Sequence, residues 1–392
     1  MSAARRTALV LAGLILLSFN LRPAAVSVGP VLEEVRRGLD LSGPEAGLLT
    51  SLPVLAFAVF GALAPRLARA VGLHRAAAGS LVAVVIGLGA RSFAQDGTTF
   101  LVLSAFALAG MATANVLIPS LVKLHFPDHI GRATAVYTTA LAIGLTSAFL
   151  LTVPIANAFG GWRAGLGAWA LTALVAVLPW IGLAAHDRHL ERDRRSISFT
   201  DVARTRIGWA MVLFFGLQSL QAYSIFGWFA QLWRDNGYSP EQAGLLVGIV
   251  AGVSIPLSLW LPAASARRTD QRGLILGVLS CYLVGYALLL VDAHTLAIPA
   301  ALLIGVGCCV FPIVLTLIGL RAHTADGTAA LSGFTQSLGY LIAAIGPFLV
   351  GAIYDATGEW AAPLWLLTVL VLPLLAVGAY AGRPAYLEDQ LR

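Results

Sequence analysis

Apolar residues run along this chain in long blocks separated by short polar stretches. Twelve blocks reach the roughly 20 residues that a helix needs to cross the hydrocarbon core of a bilayer. They predict membrane-spanning helices near residues 7–32, 44–65, 76–94, 98–122, 131–157, 162–185, 207–233, 240–262, 273–291, 296–320, 328–354 and 360–382. The first block follows Arg5 and Arg6, but it is too long for a cleaved leader and no A-x-A site follows it, so it reads as a span.

Composition agrees. Of 392 residues 58% are hydrophobic and 11% charged, and mean hydropathy is +0.85. A soluble chain carries about a quarter charged residues. The expected fold class is therefore all-α integral membrane. The net charge of +6 would suggest nucleic acid in a soluble protein. Here it fits the excess of Lys and Arg that membrane proteins carry in cytoplasmic loops. With the N-terminus inside, 19 of the 25 Lys and Arg fall on the cytoplasmic side and 5 outside, Arg22 being the remaining one. Both termini are thus expected in the cytoplasm of a cell-membrane protein. Cys281, Cys308 and Cys309 lie in apolar stretches and read as small core residues rather than a disulfide framework.

The longest polar segment, "HDRHLERDRRSISFTDVARTR" at 186–206, divides the chain into halves at 1–185 and 207–392. The halves echo one another. "LSGPEAGLL" (41–49) opens span two and "YSPEQAGLL" (238–246) opens span eight, so that Ser42, Ala46 and Gly47 match Ser239, Ala243 and Gly244 at an offset of 197. Pro65 falls on Pro262 at the same offset. "AFGGWR" and "ATGEWA" align Trp162 with Trp360 at 198. Self-similarity at a fixed period is the mark of a duplicated unit.

This six-plus-six repeat resembles the architecture of major facilitator superfamily transporters. The loop "GALAPRLARAVGLHR" (61–75) is similar to that superfamily's loop signature through Gly61, Leu63, Ala64, Arg66 and Arg69, with Pro65 where the family usually has Asp. "NLRP" in span one, the following Val28-Gly29-Pro30 and the S-x-x-x-A-G-L-L start of span two resemble the cyanate transporter / 2-nitroimidazole transporter branch. The resemblance covers the whole chain in topology and about its first fifty residues in motif. It implies two six-helix bundles related by pseudo-twofold symmetry that rock about a central site. It also implies a monomer without cofactor. Spans one, four, seven and ten would line the site, with five and eleven beside them.

Arg22 is the residue that the hydrophobic pattern does not explain. It lies about 24 Å along a helix from Arg6, inside a core about 30 Å thick. Arginine stays charged, and none of the 19 acids falls mid-span. Snorkelling toward the surface is one reading. The other is that Arg22 faces a wet cavity and meets the substrate, as intramembrane ionisable residues generally do. A guanidinium fork suits a small oxyanion or carboxylate-like group. One mid-span cation points to a monovalent anion or an anion-like polar solute (cyanate, a short carboxylate, a nitro-aromatic) rather than to a dianion. Pro23 would free a backbone carbonyl beside it.

Other polar residues join the expected substrate set. Gln221, Ser224, Trp228 and Gln231 share one face of span seven, with Gln218 a turn earlier. Span four offers Met111 and Asn115, span five Tyr137 and Thr138, and span eleven Gln336 and Tyr340. The set is Arg22, Asn20, Asn115, Tyr137, Gln221, Trp228, Gln336 and Tyr340. Pro23, Arg66, Arg69 and Arg132 are expected to serve conformational change. Interhelical hydrogen bonding is the competing use for each polar residue. The pairs His125/His129 and His186/His189 have metal-like spacing but read as solvated loop histidines, and no metal site is expected.

No nucleotide-binding loop is present. Nor do nucleophile, base and metal cluster at one membrane depth, which excludes an enzyme. The expected function is secondary active or facilitative transport. The alternative is proton-coupled export of neutral drug-like compounds, which would tolerate loss of Arg22. A receptor or scaffold would bind without flux. For coupling, Glu33 and Glu34 at the outer end of span one are the nearest titratable groups.

Overall fold

The computed structural model describes residues 3–41, 43–184 and 197–391. Among these the regular elements are all helical. The longer ones are α1 (Ala3–Val26), α2 (Gly43–Val71), α3 (Leu73–Arg91), α4 (Gly97–His125), α5 (Ile130–Ala158) and α6 (Trp162–Ala184) in the first half. The second half holds α7 (Arg206–Asp235), α8 (Pro240–Gly252, continued by Ser254–Ala266), α9 (Arg272–Asp292), α10 (Ala297–Cys308, continued by Val310–Leu320), α11 (Ala325–Thr357) and α12 (Ala361–Ala381). Eleven are long and apolar enough to cross a membrane, and α5, bent by 41°, makes a twelfth.

Prolines set the breaks. A proline removes the hydrogen bond to the carbonyl four residues back and crowds it. Pro256 does this to Gly252, where the first piece of α8 ends. Pro312 does it to Cys308, the last residue of the first piece of α10. Pro154 does it to Leu150, at the bend of α5. Side chains set the starts. Ser239 and Gln242 form a reciprocal capping box at α8, with bonds of 3.2 and 3.0 Å. Asp96 accepts from the Thr99 backbone at 2.8 Å and opens α4.

Span one is shorter than expected. The sequence predicts a helix over 7–32, whereas α1 ends at Val26 and is followed by a turn, a 3-10 turn at Gly29–Val31 and the short helix Leu32–Gly38. Gly29 and Pro30 supply the interruption. Most of the expected linker, with His186 and His189, lies outside the described residues, as does Ser42 of the first repeat motif.

By contacts the chain forms two compact units. One comprises Met1–Asp128, Val136–Ser198 and Thr324–Gly333; the other comprises His129–Ala135, Phe199–His323 and Phe334–Arg392. The first turns of α5 and α11 thus cluster with the helices of the other half, a detail that a division at 1–185 and 207–392 leaves out.

Inside each unit the same pairings recur. In the first, α3 packs on α4 and α6, α1 on α6, and α2 on α4. In the second, α9 packs on α10 and α12, α7 on α12, and α8 on α10. Small residues allow the close approaches, as membrane helix contacts require. A Cβ on Gly87 would lie 2.7 Å from Ala107 Cβ, and one on Gly285 would lie 2.6 Å from Ile304 Cγ1.

Candidate functional site

In the first unit, α1 carries Asn20, Arg22 and Pro23. The Asn20 amide donates to the Leu16 carbonyl at 2.8 Å and to the Thr172 carbonyl at 3.2 Å. Its oxygen accepts from the Thr172 hydroxyl at 2.7 Å. Asn20 is therefore a polar tie between α1 and α6, beside the Trp180 indole, which donates to the Gly13 carbonyl at 3.2 Å. Two residues on, Arg22 leaves the helix about 200° further round, on the face turned away from α6. It is half-buried.

Pro23 frees the carbonyl of Phe19, as expected. That carbonyl lies against Gly144 of α5, in the space a Cβ would need. The freed group is thus covered by a neighbouring helix. α1 itself continues to Val26, and Ser27 N–H reaches the Pro23 carbonyl at 3.1 Å. Asn115 on α4 and Tyr137 and Thr138 on α5 are buried in the same unit.

In the second unit, Gln221 is wholly buried. Its amide donates to the Leu367 carbonyl of α12 at 2.8 Å, and its oxygen accepts from Tyr286 of α9 at 2.7 Å. The Trp228 indole donates to the Pro347 carbonyl of α11 at 2.8 Å. The shared face of α7 is real, and these two members spend their polar atoms on helices of their own unit. Gln231 donates to Asp235 at 2.6 Å. Gln336 and Tyr340 are buried on α11, with the Tyr340 ring 5.0 Å from Phe215 and 6.4 Å from Tyr223.

The expected conformational residues are dispersed. Arg66, Arg69 and Arg132 are exposed. Arg69 donates to the Ile197 carbonyl at 2.7 Å, and the Ile197 N–H donates to Asp326 at 3.0 Å. The returning linker thereby joins α2 to the start of α11 within the first unit. Pro65, standing where the superfamily usually has Asp, packs instead. A Cβ on Gly333 would lie 2.7 Å from Pro65 Cγ and 3.3 Å from the Gly61 carbonyl, which is the carbonyl that Pro65 frees.

Two further buried cations, both at helix ends, escaped the hydrophobic pattern. Arg91, counted as an outer loop residue, is 1% exposed. It donates to Ser27 at 3.1 Å and, more weakly, to Ser104 at 3.5 Å, and it lies 5.8 Å from the centre of the Phe100 ring. Its Nε has no acceptor among the described residues. Arg321 is 2% exposed. It donates to the Ala381 carbonyl at 2.9 Å and to Gln271. Burial pushes its guanidinium below the ordinary range. The hydrogen-bond partners of both arginines are neutral groups.

Among the described residues no three His, Cys, Asp or Glu side chains group as metal ligands. His129 is exposed. His125 instead meets His74 across the α3–α4 contact, Nε2 to Nε2 at 2.7 Å.

The model of the Major Facilitator Superfamily matches residues 8–344. The chain is 37% identical to the uncharacterized transporter YycB of Bacillus subtilis, covering 96% of this chain and 94% of that one. It is 34% identical to the 2-nitroimidazole transporter of Escherichia coli, covering 95% of each, and 26% identical to the cyanate transport protein CynX of Escherichia coli, covering 88% and 90%. The fold matches that of the transporter FucP in the outward conformation with a TM-score of 0.76 at 14% identity, over 95% and 98% of the two chains. With most of its length matched and transporters as its full-length relatives, this multi-pass, non-enzymatic chain belongs to the major facilitator superfamily.

Proposed function

We propose that this protein moves a small monovalent anion, or a polar solute with an anion-like acceptor group, across the cell membrane by alternating access, with Arg22 meeting the solute. The observation that carries the reading is the position of Arg22. It stands one turn before the end of an apolar span, half-buried, on the face of α1 opposite the Asn20–Thr172 tie. A permanent charge within a span is expensive unless it faces water or a ligand. Arg91 and Arg321 bond hydroxyl, amide and carbonyl groups of their own units. Cyanate and a nitro group both present acceptors to a guanidinium fork, and relatives carry the names of both solutes. The arginine distribution supports cytoplasmic termini, and nothing in the chemistry requires more than one copy.

Radiolabelled cyanate and 2-nitroimidazole uptake into proteoliposomes tests it, with Arg22→Ala and Arg22→Lys beside wild type. A charge-assisted contact is worth about 1.5–3 kcal/mol, so Arg22→Ala is expected to lower kcat/KM by about 10- to 100-fold. Arg22→Lys keeps the charge without the fork and falls between. Wild-type flux in Arg22→Ala would overturn the reading and favour export of neutral compounds.

A further inference from the structure

His74 is the second residue of α3 and His125 the last of α4, 51 residues apart. Gly72, in the left-handed region at φ +97°, turns the chain from α2 into α3 and sets His74 in the first turn. His74 is 5% exposed. Its ring lies 6.2 Å from that of Trp180 on α6. The two imidazole centres are 5.0 Å apart and their planes inclined at 61°. With the nitrogens at 2.7 Å, this is the separation of two rings joined nitrogen to nitrogen along a line. Chelation of a metal would need the two lone pairs to converge beside that line.

A linear bridge of this kind needs one N–H facing one bare nitrogen. Each neutral imidazole has one of each. The bridge therefore exists when the pair holds two ring protons, and again when it holds three. With four, two N–H groups meet head on and two positive charges face each other where water screens them poorly. The pair can thus take up one proton with the bridge intact, and a second only by opening it. Imidazole is the side chain whose charge ordinarily changes between pH 5 and 8.

Among the described residues the charged and titratable neighbours are few. On α3 the neighbour is Arg75, whose Nε turns to the Ala184 carbonyl at 3.4 Å. On α4 it is Lys123, and on the turn that follows, exposed Asp128 and His129. Arg69, three residues before Gly72, is held by Ile197. On α6, which covers His74 with Trp180, there is no acid, and its one charged residue, Arg163, lies at the opposite end. Of the two acids at the outer end of span one, Glu34 is exposed and the Glu33 side chain lies outside the described residues.

We propose that His74 and His125 form the proton-binding site of this transporter, and that its occupancy couples solute movement to the pH gradient. The bridge is a polar tie at the shared end of α3 and α4. Elsewhere these helices meet through small residues such as Gly87 and Ala107. α4 leads directly from the pair to Asn115, ten residues back. The proposal rests on the chain being a transporter and is independent of Arg22 and of which solute it carries.

The test has two arms. The first needs no solute. Tryptophan fluorescence of the purified protein is followed from pH 8 to pH 5, because an imidazolium quenches an adjacent indole. Wild type is expected to show an acid quenching step that is absent from Trp180→Phe and His74→Gln and displaced in pH in His125→Gln, which loses the bridge but keeps the imidazole beside Trp180. The second arm compares pH-gradient-driven accumulation with exchange at equal pH in proteoliposomes, using radiolabelled cyanate and 2-nitroimidazole. The ratio of accumulation to exchange is expected to fall at least tenfold in either histidine variant and to persist in Trp180→Phe. A quenching step unchanged in both histidine variants overturns the proton site. An unchanged ratio overturns the coupling. If neither probe crosses in wild type, the solute reading fails, and the fluorescence arm still decides proton binding.

Discussion

The carbonyl of Phe19 on α1 lies against Gly144 of α5, in the space where any side chain would begin. Pro23 is the cause on one side, since it deprives that carbonyl of its helical N–H. Glycine is the cause on the other, because its Cα can approach the oxygen closely. Gly61 and Gly333 repeat the arrangement behind Pro65. Gly144→Ala should therefore overpack the α1–α5 contact one turn from Arg22, at a cost of about 1–3 kcal/mol. Pro23→Ala returns a donor to Phe19 and draws the carbonyl back into its helix. The double variant should melt, in detergent, above the sum of the two single effects. Strict additivity would mean that the proline and the glycine do not share this carbonyl.

The spans were legible because apolar runs of membrane length have few other uses, whereas the breaks behind Pro154, Pro256 and Pro312 were drawn only from the structure. Side-chain partners were not legible. Periodicity correctly put Gln221 and Trp228 on one face of α7, but a period cannot say which helix lies opposite. That turned out to include Tyr286 and Leu367 for the first and Pro347 for the second. Arg91 sits in the last turn of its helix, where an arginine can point to the headgroups or inward. Ser27, 64 residues away, decides for inward. His125 drew attention through its spacing to His129, whereas its partner is 51 residues distant.

Asn20 separates a packing role from a solute-binding one. Both ends of its amide are used within the first unit. Asn20→Ala should lower thermal stability while leaving the KM for a transported probe within about twofold. A double-mutant cycle with Thr172→Val should give a coupling of about 0.6 to 1.7 kcal/mol, the range for polar contacts between membrane helices. A tenfold rise in KM, with no coupling to Thr172, would return Asn20 to the solute.

Asp270 supplies a control for any acid-dependent behaviour. Hydrogen bonds from the Arg272 side chain, and then from its backbone N–H, hold the Asp270 carboxyl down at about 2. A lowered carboxyl contributes stability above the unfolded carboxylate range, near 3.9, and loses it as pH falls through the folded value. The pair therefore stays ionised throughout pH 5–8. Asp270→Asn should leave the pH profile of fluorescence and of flux unchanged over that window. If the acid step disappears in Asp270→Asn, the step does not belong to imidazoles.

Arg91 is a buried cation whose contacts are two hydroxyls and a ring face, and no carboxylate among the described residues pairs with it. Burying a charge without a counter-charge costs several kcal/mol. An apolar side chain of similar length avoids that cost and still fills the space, and Ser27 and Ser104 are short enough to bond local backbone carbonyls instead. Arg91→Met should therefore melt at or above the wild-type temperature. Arg91→Ala removes the charge but leaves a void among Phe100, Ser27 and Ser104, so it should melt below wild type. Equal losses in both variants would mean that the charge itself is held by a partner, and an anion enclosed beside Nε would be the group to look for.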